Sequence, residues 1–545
     1  MGSAQSISAA PPAYSEKSQH ASANSRDRSS PSAADLLAQL SLRGSSSSPA
    51  DATVTGENLD AWDDAFASNP KHRLASTVLS KSNFTEALVS RAAQRKDQQV
   101  FNVKLSTEGN PVTNQKSSGR CWLFASTNYL RILMARKYDL EDFQLSQSYL
   151  FFYDSLSKAN WFLEQMLQLA DEPLDDRTVR PLRSSAARTD LCSHVLSAFA
   201  RDMIVNLFST FGLVPQSVFP ESANSSATSK VDTLVTAKLR EYALELRALH
   251  DAALSSLSSL DKSYAEKKAL AIASARKRKE EQMSEVYRIL CIALGQPPKP
   301  TETFTWEYYS KKDKAYHRVD TTPLEFYKKY CLVDVSTHLS LVNDPRHDYS
   351  TLLQVDRLGN VVGGQPVKYI NTHIEQLKST AIKLLKADIP VWCVPGYAAC
   401  SSACPPSLTS FTPRRFGCDV GKFSSSSIGI MDTEIYDLDE GFGITLGMDK
   451  AQRLRTGESC MTHAMLLTAV HVDEKTGKPV RWRVENSWGA EACDKGYMLM
   501  SDAWFSEFVY QIVADRKYIP KDLVDVFDKG KATVLPPWDP MGTLA

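Results

Sequence analysis

The chain has no apolar run long enough to cross a membrane and no secretory apolar core ahead of its cysteines. That sets aside a membrane-spanning protein and a disulfide-framed secreted one. Its ten cysteines follow no framework spacing. They read as reduced, mostly buried thiols, so a cytoplasmic location and no membrane partner are expected. Net charge is absent too: 63 basic residues balance 63 acidic ones over 545 residues, so whole-molecule charge argues neither for nor against nucleic acid. Aromatics are scarce before about residue 55, a Ser- and Ala-rich stretch that reads as a disordered, solvated tail. No Lys or Arg precedes Lys17, a poor start for an Arg-rich transit peptide. Ser is abundant there, however, and Glu16, Asp27 and Asp35 are the only acids before residue 50, so a mitochondrial address stands as the alternative location. Met1-Gly2-Ser-Ala-Gln-Ser6 fits the myristoylation pattern, as many small-residue starts do.

What is present is ordinary in bulk. The apolar share is 43% and the charged share 23%, those of a soluble globular chain long enough for two to four domains. The chemistry is concentrated in Gln115-Lys-Ser-Ser-Gly119-Arg-Cys121-Trp122-Leu-Phe124-Ala125-Ser126. Trp122, Phe124, Ala125, Tyr129, Leu130, Leu133 and Met134 have the spacing of a helix buried on one face. Cys121 then lies at a helix N-terminus, where the dipole and unpaired N–H groups favour thiolate, the nucleophilic form. The Gln115 amide and the Cys121 N–H are candidate donors to an oxyanion. Two partners lie far downstream. His463, in Glu458-Ser-Cys-Met-Thr-His463-Ala464, supplies a base. Asn486, in Arg483-Val-Glu-Asn486-Ser487-Trp488-Gly489, supplies the group that orients it, with Trp488 placed to keep water off that bond. A buried structural cysteine is the plainer reading of Cys121, and the combination of Gln, Gly-x-Cys-Trp, His and Asn-Ser-Trp-Gly outweighs it.

This pattern resembles the papain-like cysteine peptidases, peptidase family C1. The resemblance narrows to the bleomycin-hydrolase family over roughly residues 57–545, through Pro111-Val-Thr-Asn-Gln…Cys-Trp-Leu-Phe-Ala, Leu145-Ser-Gln-Ser-Tyr-Leu-Phe-Phe, Phe304-Thr-Trp-Glu-Tyr, Gly457-Glu-Ser…Met-Thr-His-Ala-Met and Trp538-Asp-Pro-Met-Gly. It implies an α+β, papain-like fold: a helical half, a β-barrel-like half, a large helical insertion and a C-terminal arm. It implies an aminopeptidase acting on peptides with a free N-terminus, with the Ala545 carboxylate in the cleft meeting the substrate amine. It also implies hydrolysis of the bleomycin carboxamide and of homocysteine thiolactone, and a homohexamer with active sites facing an inner channel. No cofactor or metal is required.

Cys121 and His463 are 342 positions apart, against roughly 130–150 in simple papain-like enzymes. About 200 residues are therefore inserted between the two halves of the core, and the helix-rich 228–295 stretch is the candidate. The division expected is a tail 1–56, a helical half 57–180, a mainly helical insertion 181–389, a β-rich half 390–534 and an arm 535–545. Helices are expected over 146–169, 373–387 and 502–513, and strands at Val100–Leu105, around Ile428-Gly-Ile, at Arg481-Trp-Arg-Val and at Tyr497-Met-Leu-Met. Arg276-Lys277-Arg278-Lys279 reads as a solvated helix face; the resemblance adds the alternative that these bases line a channel and touch nucleic acid.

Two blocks depart from the family. The residues before Asp202-Met-Ile-Val-Asn206, from Arg183 to Arg201, contain no Gly and no Trp where the family carries Asn-Asp-Gly-Gly-Gln-Trp, whose Gly-Gly backbone in papain-like folds pairs with the substrate main chain. Residues 393–415 separate Val391-Trp392 from Phe416-Gly-Cys-Asp-Val-Gly, which the family joins directly. This second block splits an apolar strand and reads as a retained intron. Its Cys393, Cys400 and Cys404, with Cys418, have neither a neighbouring His nor a recognised zinc spacing, so no metal is assigned. Because of these departures two other classes stand beside the peptidase: a nucleic-acid-binding hexamer of the same fold, and a catalytically impaired scaffold.

Overall fold

The computed structural model describes residues 53–108, 112–173, 201–395, 423–459, 461 and 463–542, and of residues 393–395 the backbone alone. Gly2 and most of the tail, the stretch 183–200, Cys400, Cys404, Cys418 and Ala545 lie outside the described residues. The chain forms two compact units, one up to Leu74 and one from Ala75 onward. In the first, the helix Gly56–Ser68 is capped by the Thr55 side chain, which accepts from Asn58 N–H.

The second unit carries the chemistry. Its helices relevant here are α1 (Cys121–Tyr138), α2 (Gln147–Gln168), α3 (Arg201–Phe211), α4 (Ser229–Ser256), α5 (Tyr264–Leu294), α6 (Ile374–Lys386) and α7 (Asp502–Phe508). Local signals set several of their ends. The Ser146 hydroxyl accepts from Tyr149 N–H to start α2. Ser263 and Glu266 form a reciprocal capping box at the start of α5, and Gly295 ends it at a positive φ. Both α4 and α5 match the expected helix-rich stretch; they form a long hairpin that packs on α2.

The strands are β1 (Val103–Lys104), β2 (Phe304–Tyr309), β3 (Tyr316–Thr321), β4 (His338–Val342), β5 (Thr351–Val355), β6 (Tyr369–Asn371), β7 (Val391–Pro395), β8 (Ser424–Ser425), β9 (Ile430–Met431), β10 (Met465–Val472), β11 (Pro479–Glu485), β12 (Tyr497–Ser501), β13 (Val509–Asp515) and β14 (Ala532–Leu535). One sheet runs in the order β14-β5-β6-β4-β13-β7-β10-β11-β12-β9-β8, with β1 also on β10, and β2 and β3 form a separate hairpin. Most neighbours are antiparallel; β14/β5, β4/β6 and β12/β9 are parallel. One apolar core joins α1, α2, α3 and the α4–α5 hairpin, and a second joins α6 and α7 to the sheet from β4 to β13.

Two expectations are corrected. Residues 502–513 are not one helix: α7 ends at Phe508, and Val509 onward is strand β13 between β4 and β7. Val509, Tyr510, Ile512 and Val513 are all buried there, and sheet pairing overrides the local helical reading. The α1 helix is buried all round rather than on one face, since every residue from Cys121 to Ile132 is buried. Within 181–389, expected to be mainly helical, the long helices α4 and α5 are accompanied by strands β4, β5 and β6 of the sheet. Strand β7 moreover runs through Cys393 to Pro395, so the first residues of the 393–415 block complete the strand that the block was expected to split.

Candidate active site

Cys121 is the first residue of α1, and no side chain caps that end; Arg120 holds the N-cap position with φ −98° and ψ 16°. The N–H groups of the first turn are thus left for the site. The thiol receives N–H groups from Ala464, Trp122 and Cys121 itself. Ala464 follows His463, so the fold brings the nucleophile candidate and the base candidate together across 342 positions of sequence. Cys121 carries no disulfide.

His463 lies two residues before β10, and Asn486 directly follows β11, beside β10 in the sheet. His463 Nε2 is 2.9 Å from Asn486 Oδ1. The Ser487 N–H donates to the same Oδ1 at 2.8 Å, which identifies that atom as the amide oxygen rather than the nitrogen. Nε2 therefore carries the proton in the neutral ring, and Nδ1 keeps a lone pair. The Trp488 ring lies 5.8 Å from the His463 ring, centroid to centroid, tilted by 31°. Burial sets the charge state. It pushes the Cys121 thiol up to about 11, against the N–H groups that favour thiolate. It pushes the His463 ring down to about 4, against the bond to Asn486. The helix terminus and its N–H groups favour thiolate while burial works against it, so a charge on either partner needs its opposite on the other.

Gln115 is buried and fixed at both ends of its amide. Its Oε1 accepts from the Ser487 hydroxyl at 2.5 Å, and its Nε2 donates to the Ser118 carbonyl at 2.7 Å, leaving one N–H to spare. Its backbone N–H donates to the Ser487 carbonyl at 2.8 Å, and Gly489 N–H to the Thr113 carbonyl at 2.9 Å. The Gln115 loop and the Asn-Ser-Trp-Gly segment are thus stitched edge to edge. Gly489 is needed there: its φ is 81°, and a Cβ would come within 2.6 Å of Asn114 Nδ2.

Several residues that hold the site escaped the sequence reading. Arg131 on α1 pairs with Glu485 at 2.8 Å, both buried, and Asn128 Nδ2 reaches the same carboxylate oxygen at 3.4 Å. Glu485 is the neighbour of Asn486, so this buried pair ties the nucleophile's helix to the orienting residue. Arg120 forks onto Glu221, with bonds of 2.9 and 2.7 Å. The available signal was the Glu-Asn-Ser and Arg-Cys neighbourhoods; what was missing was each partner, distant in sequence.

Three of the four bases singled out between 276 and 279 are paired with acidic residues of the same chain, and of these Lys279 is buried. Arg276 forks onto Glu164, Lys279 is buried against Glu164 and Asn160, and Arg278 pairs with Glu245 and Glu281. Lys277 faces solvent. Among the described residues no cluster of His, Cys, Asp and Glu is arranged to hold a metal, and no helix is long and apolar enough to cross a membrane.

Comparison with known proteins places the chain by family and fold. The model of the Peptidase C1-like family fits residues 53–396 and 407–542, leaving out a stretch inside the 393–415 block. A Saccharomyces cerevisiae protein named "Cysteine proteinase 1, mitochondrial" is 41% identical over 492 residues, covering 89% of this chain and 92% of its own. The Mus musculus protein named "Bleomycin hydrolase" is 38% identical over 504 residues, covering 91% and 99%. The crystal structure of PepW from Lactobacillus rhamnosis matches with a TM-score of 0.77 at 37% identity, over 91% of this chain and 100% of that one.

Proposed function

The chain belongs to the Peptidase C1-like family and is a cysteine-type peptidase of the bleomycin-hydrolase kind, and from that premise we propose an aminopeptidase in which Cys121 is the nucleophile. His463 is the base and then the acid, Asn486 orients its ring, and Gln115 donates to the oxyanion. The observation that carries the reading is the 2.9 Å bond from His463 Nε2 to Asn486 Oδ1, with the Cys121 thiol against the Ala464 N–H.

The steps follow from that arrangement. As Sγ of Cys121 bonds to the substrate's amide carbon, its proton passes to Nδ1 of His463, so thiolate and imidazolium charge arise as a pair. The carbonyl oxygen becomes an oxyanion held by the Cys121 N–H and the spare Gln115 N–H. The C–N bond breaks as His463 returns the proton to the leaving amine. Water then attacks the thioester, giving its proton to His463; the carboxylic acid leaves and the thiol reforms. At each step the negative charge, on sulfur or on the oxyanion, stays beside the His463 cation, which suits a site that burial keeps neutral at rest.

The division into a tail, helical half, insertion, β-rich half and arm belongs to this reading, as does an assembly of six copies. The carboxylate of Ala545 is the proposed anchor for the substrate amine. The proposed location is the cytoplasm, with the mitochondrion as the alternative that the yeast relative's name supports. The names of the mammalian relatives support the bleomycin carboxamide as a further substrate, and homocysteine thiolactone, an activated carbonyl, suits the same nucleophile.

The test is hydrolysis of one aminoacyl fluorogenic amide with its amine free or acetylated, by wild type and by Cys121→Ala. Cleavage of the free-amine substrate alone, abolished in the variant, is the expected result. Activity retained without Cys121 sinks the assignment of the nucleophile, and equal cleavage of both substrates sinks the aminopeptidase.

A further inference from the structure

The residue before the nucleophile is a buried arginine, and its role is not explained by the reaction steps. Arg120 is 1% exposed. Its two terminal nitrogens fork onto Glu221, and its Nε donates to the Ser118 hydroxyl at 3.1 Å. That hydroxyl donates in turn to the Gln115 carbonyl at 2.5 Å. The guanidinium lies 5.2 Å from the Phe124 ring and 5.7 Å from the Phe151 ring, so apolar walls enclose it. Glu221 is held from its own side by the Ser225 hydroxyl at 2.5 Å, and the neighbouring Ser226 carbonyl accepts the Ser117 N–H at 3.0 Å. Ser117 and Arg120 are thus fastened to the segment that leads into α4, and Gln115 is linked to Arg120 through the Ser118 hydroxyl.

Resting on the reading above, we propose that Arg120 and Glu221 are a positioning pair for the Cys121 reaction. Their fork sets the loop so that the oxyanion donor on Gln115 and the thiol of Cys121 converge on one carbonyl. Glu221 has a second effect. It neutralises a fixed positive charge one residue from the nucleophile, which leaves His463 as the cation that accompanies the thiolate. A lysine cannot reproduce a planar two-bond fork, and a glutamine at 221 keeps the shape of the carboxylate without its charge.

Two variants, Glu221→Gln and Arg120→Lys, test this by steady-state kinetics and by the pH profile of Cys121 alkylation with iodoacetamide, using Cys121→Ala as the blank. Each variant is expected to lower kcat by about 10- to 100-fold, the cost of misplacing a reacting group by about an ångström, with KM close to wild type. The double variant is expected to be no worse than the poorer single one, because the two residues act as one unit. In Glu221→Gln the alkylation profile is expected to shift to lower pH even as kcat falls, since the arginine charge is no longer cancelled. General damage to the fold would slow both together. Wild-type kcat in a well-folded Glu221→Gln, an alkylation profile that shifts up or stays put, or single effects that multiply in the double variant would each overturn the proposal. Failure of both variants to fold would also overturn it, by making the pair a prop for the fold and not for the loop. An active Cys121→Ala would instead strike at the reading of the site itself, so the two failures are distinguishable.

Discussion

His463 is neutral in the closed site because burial takes away the water that would solvate its charge, and Asn486 returns too little of that loss. The ordinary imidazole value near 6.5 is thereby displaced to about 4. The cation the reaction needs must therefore come from Cys121 and not from bulk solvent. Removing the thiol isolates the ring: in Cys121→Ala, the His463 ring carbons followed by NMR are expected to hold their neutral shifts down to about pH 4. The sign for stability follows from the same displacement. The unfolded chain takes up a proton at 6.5 that the folded one refuses until about 4, so stability is lost as pH falls between those values. The fully buried ring makes that loss about 3 kcal/mol, and a His463→Gln variant should not show it in acid-denaturation curves. A ring that titrates near 6.5 in Cys121→Ala would mean that water reaches it. At this scale the sequence was readable wherever chemistry dictates a residue type: Cys121, His463, Asn486 and Gln115 are all brought together. Ser487, which orients Gln115, and Glu221, which holds Arg120, were not, because a serine or glutamate gains such a role only from a partner that folding delivers.

Among elements, the join between α1 and β11 matters most to the site. Arg131 and Glu485 cross it as a buried ion pair one residue from Asn486. Glu485→Gln leaves the arginine charge buried without its counter-charge and should cost about 3–5 kcal/mol in urea or thermal unfolding. Replacing both, as Arg131→Met with Glu485→Met, should recover most of that stability, since an apolar pair can take the space. The double variant then separates fold from function: its Tm returns towards wild type while kcat stays low, because one charged tie between the Cys121 helix and Asn486 is gone. Full recovery of kcat would make the pair a stability element only. Element boundaries were legible where the signal is local. The 146–169 and 373–387 helices are observed as Gln147–Gln168, opened by Ser146, and Ile374–Lys386, opened by His373. The stretch 502–513 was misread because Val509–Asp515 pairs with β4 and β7, strands more than a hundred residues upstream. No window of sequence around residue 509 contains that pairing. For the same reason β5 and β6 were hidden inside a stretch whose long helices dominated the pattern.

For the molecule as a whole, the open question of specificity reduces to how firmly its last residues are held. Strand β14 lies parallel on β5, and the chain beyond it is pinned step by step. Arg346 bonds to Asp344 at 2.7 Å and to Asp539 at 2.8 Å, and the same Asp539 oxygen accepts the Met541 N–H at 2.8 Å. Met541 is fully buried, and Gly542 sits so close to Val355 that a Cβ would come within 3.0 Å of it. Whatever lies beyond Gly542 therefore starts from a fixed point. Two residues lie between it and Ala545, so three Cα–Cα steps give a reach of about 10 Å at full extension. In the proposed function the Ala545 carboxylate is the charge that recognises a free amine at a set distance from the scissile bond. Deleting residues 543–545 should then remove the anchor without disturbing Cys121 or His463. The expected result is a raised KM for the free-amine amide, the appearance of cleavage of the acetylated one, and unchanged alkylation of Cys121. Asp539→Asn, which loosens the clasp but keeps the carboxylate, should move both substrates in the same direction by less. A truncated enzyme that still refuses the acetylated amide would place amine recognition elsewhere in the cleft, and the arm would then be read as a support for β5 alone.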